Sequence, residues 1–356
     1  MKKTVLTWTR KILKCILLPF AQVLGLRRLL ELIAEIAEGE KSFLTYHDRP
    51  LPAASVSTLS DGLRESPSLA IVIQGPILHI NGFTLETVKI YQRHFAGSRI
   101  ILSTWDDESS PVIRQFEELG VMVIQNKKPL YAGESNINMQ IVSTQSGMLK
   151  AKEFGVERAL KTRTDQRMYA PDLADFFHNL TETFPLKGHW PKQRSRIVGC
   201  SLNSFKYRMY GLSDMLIYGD IDDMLLYWDI GLDERIFNEQ QRIQAAASLG
   251  NFSRWRICEV YLATEFLKKI GREPKWSLAD SWSVFADHFC VVDKEQLDLF
   301  WPKYNHREYR WLRYDEHVST RELCFREWLN LYANLKNKKV PENVLDIPST
   351  LEGKNP

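Results

Sequence analysis

Short apolar runs recur through the middle of the chain and predict buried strands. Residues 69–74 (LAIVIQ) form a β-branched run that stops at Gly75-Pro76, and residues 99–104 (RIILST) and 121–125 (VMVIQ) have the same character. A run of this length, bounded by turn residues, is typical of a strand that is covered on both faces. Further runs at 158–161, 196–199 and 215–219 predict three more strands.

Helical repeats separate these runs. In residues 84–95 the apolar positions Leu85, Val88, Tyr91 and Phe95 fall on one face of a helix. The segments 111–119, 138–154 and 258–270 are also predicted helices. Strands that alternate with helices in this way predict an α/β fold, with a mostly parallel sheet and helices on both faces.

Polar and charged loops follow the predicted strands. In a mostly parallel sheet, ligands bind beyond the carboxyl ends of the strands, so we expect these loops to meet at one edge. The residues expected there are Gln74, Gly75 and Pro76 after the first strand, Trp105, Asp106 and Asp107 after the second, and 162–167 after the fourth. Acidic loops beside a glycine turn suit a nucleotide diphosphate that is held partly through a divalent cation.

Several common motifs are missing from the sequence. It contains neither a Walker lysine loop nor G-x-G-x-x-G, and neither H-E-x-x-H nor G-x-S-x-G. The usual ATP, NAD, metalloprotease and esterase interpretations therefore lack support. The formal net charge of +3 is too small to indicate a nucleic-acid partner. Sugar transfer from a nucleotide donor is the class that these loops favour best.

Residues 1–40 form a basic and apolar N-terminal arm, with seven lysines and arginines before the first acid, Glu31. The apolar run 15–26 is shorter than the roughly 20 residues that a membrane-spanning helix needs, and Pro19 interrupts it. A signal peptide fits poorly because no small-residue cleavage site follows. From Val23 the apolar positions have helical spacing. This predicts either an interfacial helix on anionic lipid or a helix packed on the chain's own core or on a second subunit.

Composition divides the remainder of the chain. Residues 41–68, rich in proline, serine and glycine, are predicted to be a linker; 69–300 the main domain; and 301–356 a helical extension with a polar tail. The five cysteines are scattered and include no C-x-x-C pair. This favours a reducing compartment and buried thiols.

Five segments occur in an order that is specific to one family. They are IVIQGPI at 71–77, ILSTWDDE at 101–108, the segment Asn138 to Gln140 with Ser143, Thr144 and Gly147, KTRTDQR at 161–167, and SDMLIYGD at 213–220. Together they resemble the WavE-type lipopolysaccharide synthesis proteins, bacterial enzymes regarded as glycosyltransferases. The resemblance covers roughly residues 69–290 and implies a lipopolysaccharide or lipid-linked acceptor.

The order of the segments also resembles the GT-A glycosyltransferase layout. In GT-A enzymes a strand ends in a D-x-D motif, whose carboxylates hold a divalent metal against the donor diphosphate. The matching positions here are Arg163-Thr164-Asp165, so only the last carboxylate is present. The resemblance implies either that Asp165 holds Mg²⁺ or Mn²⁺, or that Arg163, Arg167 or Lys161 neutralises the diphosphate directly.

A literal D-x-D occurs later, at Asp220-Ile221-Asp222. It follows a predicted strand and precedes the apolar helix 224–228. Aspartate in that position caps the helix and interacts favourably with its dipole. We therefore expect this motif to be structural.

The remaining candidates each have a functional and a structural interpretation. Asp214, followed by Glu259, is a candidate for the base that takes the acceptor's proton, although either residue could serve a turn or a helix start. Trp105 could stack on the donor or belong to the core, and His288 is expected to be structural. Candidates for weaker donor contacts are Ser103, Asn138 and Gln140.

These inferences lead to one hypothesis and two alternatives. We expect a cytoplasmic enzyme, peripheral on the inner face of the membrane, that transfers a sugar from a nucleotide sugar to a surface-glycan acceptor. One alternative is a non-catalytic GT-A-like scaffold of glycan assembly, which the missing first aspartate supports and the retained charge at the loop ends opposes. The other is a sugar nucleotidyltransferase, which would normally have a glycine-rich opening loop with a basic residue.

Overall fold

The computed structural model describes residues 2–37, 48–57, 65–302 and 318–349 of the 356-residue chain. Much of the predicted linker, at 41–47 and 58–64, and the end of the predicted tail lie outside this part. The chain divides into two compact units, residues 1–50 and 51–356.

The described part of the N-terminal unit contains two helices, α1 (Lys2–Leu24) and α2 (Leu26–Ala37). Gly25 separates them with a φ of 82°, a left-handed conformation that costs glycine little. Pro19 lies inside α1. Among the described residues, no helix has both the length and the apolar character needed to cross a bilayer.

The larger unit contains a seven-stranded sheet and a short two-stranded ribbon. The strands are β1 (Leu69–Gln74), β2 (Arg99–Trp105), β3 (Met122–Asn126), β4 (Arg158–Arg163), β5 (Arg167–Met168), β6 (Ile197–Cys200), β7 (Ile217–Asp220), β8 (Phe289–Val292) and β9 (Leu299–Phe300). The α-helices are α3 (Phe83–His94), α4 (Ser110–Glu117), α5 (Ile137–Glu153), α6 (Leu173–Thr183), α7 (Ile221–Trp228), α8 (Glu239–Ala246), α9 (Leu249–Trp255), α10 (Cys258–Lys269), α11 (Leu278–His288) and α12 (Phe325–Asn334).

The large sheet has the order β3-β2-β1-β4-β7-β6-β8. Strands β1 to β4 pair in parallel, as do β6 and β8, whereas β7 is antiparallel to both of its neighbours. The prediction of a mostly parallel α/β sheet is therefore confirmed. Because β7 runs in the opposite direction, its first residue, and not its last, lies beside the carboxyl end of β4.

The first strand, β1, lies in the core of the sheet. Every residue of β1 is buried, which is typical of a central parallel strand. Helix α5 packs directly on β1 at Gly147, where an added Cβ would lie only 2.3 Å from Val72 Cγ1. This close packing carries the amino-terminal half of α5 to the edge where β1 ends.

The cysteines only partly follow the sequence expectation. Cys200, Cys258 and Cys290 are buried, but Cys15 is exposed and Cys324 is half-buried. The expectation of buried thiols is therefore wrong for the last two. Cys15 lies on the N-terminal arm, and Cys324 lies at the start of α12.

Candidate active site

The ends of the first, second and fourth strands meet at one edge of the sheet, as predicted. Gln74 lies opposite both Ser103 and Arg163 in the strand register. The amide of Thr164 donates to the carbonyl of Gln74 at 3.1 Å. Gly75 is buried with a φ of 119°, and a Cβ there would lie 3.0 Å from Thr164 Oγ1, so this turn requires glycine. Pro76, next in the chain, is exposed.

Four buried polar residues form what we call the β1–β2 corner: Gln74, Ser103, Asn126 and Ser143. Ser143 Oγ donates to Gln74 Oε1 at 2.9 Å, and Ser103 Oγ donates to the Ser143 carbonyl at 2.6 Å. Asn126 Nδ2 donates to Ser103 Oγ at 2.8 Å. These bonds join β1, β2, β3 and α5. The structure therefore gives Gln74 and Ser103 a structural use that competes with their predicted contact to the donor.

The acidic loop after β2 is open to solvent at Asp106 and Asp107. Asp107 forms an ion pair with Lys128 at 2.5 Å. The next residue, Glu108, faces the turn after β1 and accepts a hydrogen bond from the amide of Ile77 at 3.2 Å. Sequence reasoning placed Glu108 in a motif but assigned it no role. Trp105, directly before the loop, is 3% exposed and belongs to the core.

Arg167 does not lie where a diphosphate could reach it. The side chain is fully buried, and its guanidinium donates to Thr87 Oγ1 at 2.9 Å, to the Leu51 carbonyl at 2.5 Å and to the Phe83 carbonyl at 3.0 Å. It joins α3 to the chain that precedes β1. The prediction that Arg167 neutralises the donor is therefore corrected: its hydrogen bonds serve the fold.

The side chain of Asn138 is also used in hydrogen bonds that hold the fold. Its Nδ2 donates to the carbonyls of Tyr131 and Asp233 at 3.0 and 2.9 Å, and its Oδ1 accepts from the Asp233 amide at 2.6 Å. Both ends of the amide thus hold two loops together. No group of this buried side chain remains for the donor contact that the sequence suggested.

Arg163 and Asp165 form a two-pronged ion pair at the end of β4. Arg163 Nε lies 2.8 Å from Oδ1 and Nη2 lies 2.9 Å from Oδ2, while Trp301 Nε1 also donates to Oδ2 at 3.2 Å. Burial alone would lower the pKa of Arg163, but the Asp165 carboxylate more than offsets this and raises it. Because donors surround Asp165, its setting does not fit a Mg²⁺ or Mn²⁺ ligand. Arg163 Nη1 makes no hydrogen bond within the described part of the chain.

Lys161 lies fully buried behind this pair. Its Nζ donates to Gln140 Oε1 at 3.1 Å and to the carbonyl of Asp214, and Gln140 Nε2 in turn donates to Asp214 Oδ2. Burial lowers the pKa of Lys161 to about 8, although the nearby Asp214 opposes this effect. Lys161 and Gln140 therefore hold Asp214 in place and do not face the open side of the site.

Asp214, Cys258 and Glu259 form a buried cluster whose possible ligand atoms lie within 4.8 Å of one another. Cys258 Sγ donates to Glu259 Oε2 at 3.0 Å. Burial raises the pKa of Cys258 well above its ordinary value. Burial also raises the pKa of Glu259, with Arg208 opposing and Asp214 adding to the effect. A protonated thiol among these groups does not suit Mg²⁺ or Mn²⁺, which prefer oxygen ligands.

A cavity of about 400 Å³ opens on this cluster. Its lining includes Cys258, Glu259, Arg208, Phe252 and Trp255. Arg208 Nη1 lies 3.8 Å from Glu259 Oε1. We call the charged group at this end of the edge the β4–α10 corner: Arg163, Arg208, Asp214, Cys258 and Glu259. The sequence identified three of these residues as site candidates and missed Arg208 and Cys258. Arg208 lies in no motif, and Cys258 was interpreted only as one of several scattered, buried cysteines.

Two features expected to be structural are so. Asp220 Oδ1 accepts from the amides of Asp222 and Asp223 at 2.8 and 3.4 Å, which caps α7. Because β7 is antiparallel, Asp220 lies opposite Arg158, at the far end of β4 from the site. His288 Nδ1 lies 2.7 Å from Gln193 Oε1, and burial lowers its pKa to about 3.

Comparisons with known proteins give one strong match and several weak ones. A family model described as WavE lipopolysaccharide synthesis matches residues 69–349, beyond the point at which the resemblance in the sequence ended. No curated protein matches the chain.

Three solved structures, each 12% identical to this chain, are similar at a low level. A putative nucleotide-diphospho-sugar transferase from Desulfovibrio desulfuricans G20 matches over 58% of this chain and 78% of its own, with a TM-score of 0.33. A putative glucose-1-phosphate thymidylyltransferase from Bacillus anthracis matches over 53% and 83%, with a TM-score of 0.29. A mannose-1-phosphate geranyltransferase from Thermus thermophilus matches over 54% and 68%, with a TM-score of 0.27. Similarity at this level carries no argument about function.

Proposed function

This chain belongs to the WavE lipopolysaccharide synthesis family, and we propose that it is a glycosyltransferase. It moves a sugar from a nucleotide-sugar donor to a lipopolysaccharide or other surface-glycan acceptor. The observation that carries the proposal is the β4–α10 corner, where Arg163, whose Nη1 has no partner among the described residues, interacts with the buried Asp214, and Asp214 lies beside the buried Glu259. Transfer to a hydroxyl needs a group that neutralises the leaving diphosphate and a group that takes the acceptor's proton.

Arg163 supplies the positive charge for the diphosphate. Asp165 binds the Nε and Nη2 side of its guanidinium and so fixes the plane of the group, while Nη1 has no partner among the described residues. A planar guanidinium binds phosphate oxygens well and remains charged at any physiological pH. In this proposal Arg163 takes over the task that the metal held by the D-x-D carboxylates has in GT-A enzymes.

Glu259 is the base in this proposal, and the nearby Asp214 helps to raise its pKa. Glu259 lines the cavity, whereas Asp214 is held by Gln140 and Lys161 on the inner side. A raised carboxyl pKa brings the group closer to the working pH, which favours proton transfer in the transition state. This proposal reverses the order of preference that the sequence suggested for these two residues.

A thermal-shift screen of nucleoside diphosphates and nucleotide sugars, with and without Mn²⁺, tests the donor site. We expect at least one nucleotide to raise the melting temperature of the wild-type chain without Mn²⁺, because bound ligand stabilises the folded state. Arg163→Gln should lose this shift, and the matched control Arg114→Gln, on the exposed face of α4, should keep it. If no nucleotide shifts the wild-type chain, the scaffold alternative is favoured. Release of pyrophosphate from a nucleoside triphosphate and a sugar 1-phosphate would instead favour a nucleotidyltransferase.

We further propose that the N-terminal helices bind the inner face of the cytoplasmic membrane. Trp8, Ile12, Ile16 and Phe20 of α1 are each more than half exposed. Exposed cations accompany them on α1 and α2, at Lys11, Lys14, Arg27 and Arg28. Apolar side chains beside cations favour an interface with anionic lipid.

Vesicle flotation of the full chain tests this location. We expect binding to phosphatidylglycerol vesicles and much less to phosphatidylcholine vesicles, and loss of binding in a Trp8→Ser, Ile12→Ser double variant. Equal binding to both lipids, or none to either, would contradict the proposal.

A further inference from the structure

Arg208 has an unusual environment for a mostly buried charge. Its guanidinium lies over the rings of Phe205 and Phe252, at 4.3 and 5.3 Å from the centroids, and only 12% of its side chain is exposed. Within the described residues its guanidinium makes no hydrogen bond, and its acidic neighbour Glu259 is 3.8 Å away. An arginine has five N–H donors. The side-chain nitrogens of Arg208 are not fully enclosed by the described protein atoms, so these donors are open to the cavity. The fold therefore holds a guanidinium that makes no hydrogen bond to the described protein groups.

The unused donors belong to a residue that lines the cavity. Phenylalanine rings beside a guanidinium cover its faces, so hydrogen bonds form at its N–H edges. The cavity, at about 400 Å³, has the volume of a small-molecule site. A second arginine of the lining, Arg242, differs in both respects: its side chain is 54% exposed and it pairs with Glu134 at 3.1 Å. Arg208 is thus the arginine of this lining that is both secluded and without a hydrogen bond.

Asp214 interacts with two positive charges. Its carboxylate contributes to raising the pKa of Arg163, and it opposes the lowering that burial causes in the pKa of Arg208. Glu259 lies beside Asp214, since possible ligand atoms of the two side chains lie within 4.8 Å of each other. The described lining of the cavity includes Arg208 and not Arg163. The two guanidinium groups therefore provide separate places for two anionic groups near the same pair of carboxylates.

We propose that Arg208 binds a carboxylate or phosphate group on the acceptor, so that the cavity selects an acidic sugar. The inference rests on the proposed function, because it assigns the cavity to the acceptor and Arg163 to the donor diphosphate. The two oxygens of a carboxylate, or two oxygens of a phosphate, match the fork of a guanidinium. Glu259, at 3.8 Å, is too distant to make that match itself.

Binding of small sugars to the full chain tests the proposal, with D-glucuronate, glucose 6-phosphate and D-glucose as probes in titrations followed by saturation-transfer NMR. We expect at least one of the two acids to bind ten or more times more tightly than glucose. Arg208→Gln should remove this difference, and the cavity-lining control Arg242→Gln should retain it within about a factor of two, since exposed charges contribute little. Glu259→Gln should strengthen binding of the acid, because it removes a negative charge beside Arg208. A purely structural role of Arg208 predicts no such gain.

The outcomes separate this inference from the proposed function. The acidic-acceptor site would be overturned if the wild-type chain binds glucuronate and glucose 6-phosphate no more tightly than it binds glucose. So would an Arg208→Gln variant that loses nucleoside diphosphate binding and keeps the acids, because Arg208 would then belong to the donor site. If no nucleotide binds but the acids bind through Arg208, the glycosyltransferase proposal fails and the anion site stands. Should Arg208→Gln fail to fold, the Glu259→Gln titration decides by itself.

Discussion

The β1–β2 corner and the β4–α10 corner lie at the same edge of one sheet, yet they use buried polar groups in opposite ways. In the first, neutral side chains bond to one another and to the main chain at 2.6 to 2.9 Å. In the second, charged groups predominate, Arg208 has no hydrogen bond among the described residues, and the pKa of Glu259 is raised. Only the second corner has the unsatisfied charge from which a reaction could gain.

Energetics explain why this difference is informative. A buried neutral group that is fully bonded contributes modestly to stability and is costly to disrupt. A buried charge with incomplete pairing costs stability, so its presence indicates a use other than folding. The comparison therefore assigns stability to the first corner and chemistry to the second, and each of the following experiments can break that assignment.

The largest expected effect is on catalysis. Glu259→Gln should lower kcat by about 10²- to 10⁴-fold, the usual contribution of a general base. Because the pKa of Glu259 is raised, the acid limb of the wild-type kcat/KM profile should lie above the ordinary carboxyl value of 4.5, with activity increasing as the base loses its proton. The variant should lack this limb. The measurement is transfer from the donor that the thermal-shift screen identifies. If Glu259→Gln has the wild-type kcat and the wild-type pH profile, Glu259 is not the base.

The next effect is a pH dependence of stability caused by Lys161. Its pKa is about 8 in the folded chain against 10.5 ordinarily, so between these values the unfolded chain binds more protons. The contribution of Lys161 to the free energy of unfolding should therefore increase with pH across this window, by up to about 3 kcal/mol. The buried thiols of Cys200, Cys258 and Cys290, whose pKa values are raised, contribute with the opposite sign in both chains. The comparison is therefore between the wild type and Lys161→Met, which should lack the Lys161 contribution. Urea unfolding of both chains from pH 7.5 to 10.5 measures the difference, and parallel curves would show that Lys161 is not the buried cation described here.

Disrupting the first corner should affect stability and spare binding. Ser103→Ala removes a hydroxyl that both donates to Ser143 and accepts from Asn126, so we expect a loss of about 1 to 3 kcal/mol in the free energy of unfolding. Affinity for the nucleotide should change less than threefold. Ser146→Ala is a matched control, since that hydroxyl bonds only within its own helix. If Ser103→Ala loses nucleotide binding while its free energy of unfolding is unchanged, Ser103 belongs to the donor site, as the sequence suggested.

The same contrast shows what the sequence could and could not predict. The strand Leu69–Gln74 was predicted to the residue, because its apolar run and terminal glycine are local signals. Arg163 and Arg167 lie four residues apart and looked equivalent in the sequence. Arg167, however, lies in β5, which pairs with β9, and its guanidinium donates hydrogen bonds to main-chain carbonyls. Arg208 carried no signal at all, since Phe252 and most of the cavity lining come from distant parts of the chain. Local pattern predicts elements, whereas the use of a polar group depends on partners brought together by folding.

The smallest expected effect concerns Asp220, which lies at neither corner. Asp220→Ala removes the acceptor for two amides of α7 and should cost about 1 kcal/mol of unfolding free energy. Asp220→Asn should cost much less, because asparagine caps a helix about as well as aspartate. Urea unfolding ranks the two variants, and both should transfer sugar at the wild-type rate. A metal-binding D-x-D predicts the reverse, since the amide would lose the charge that a divalent cation requires and both variants would lose activity alike. If the two variants are equally stable and lose activity equally, the catalytic site lies at the far end of β4. The assignment of the site to the β4–α10 corner would then be wrong.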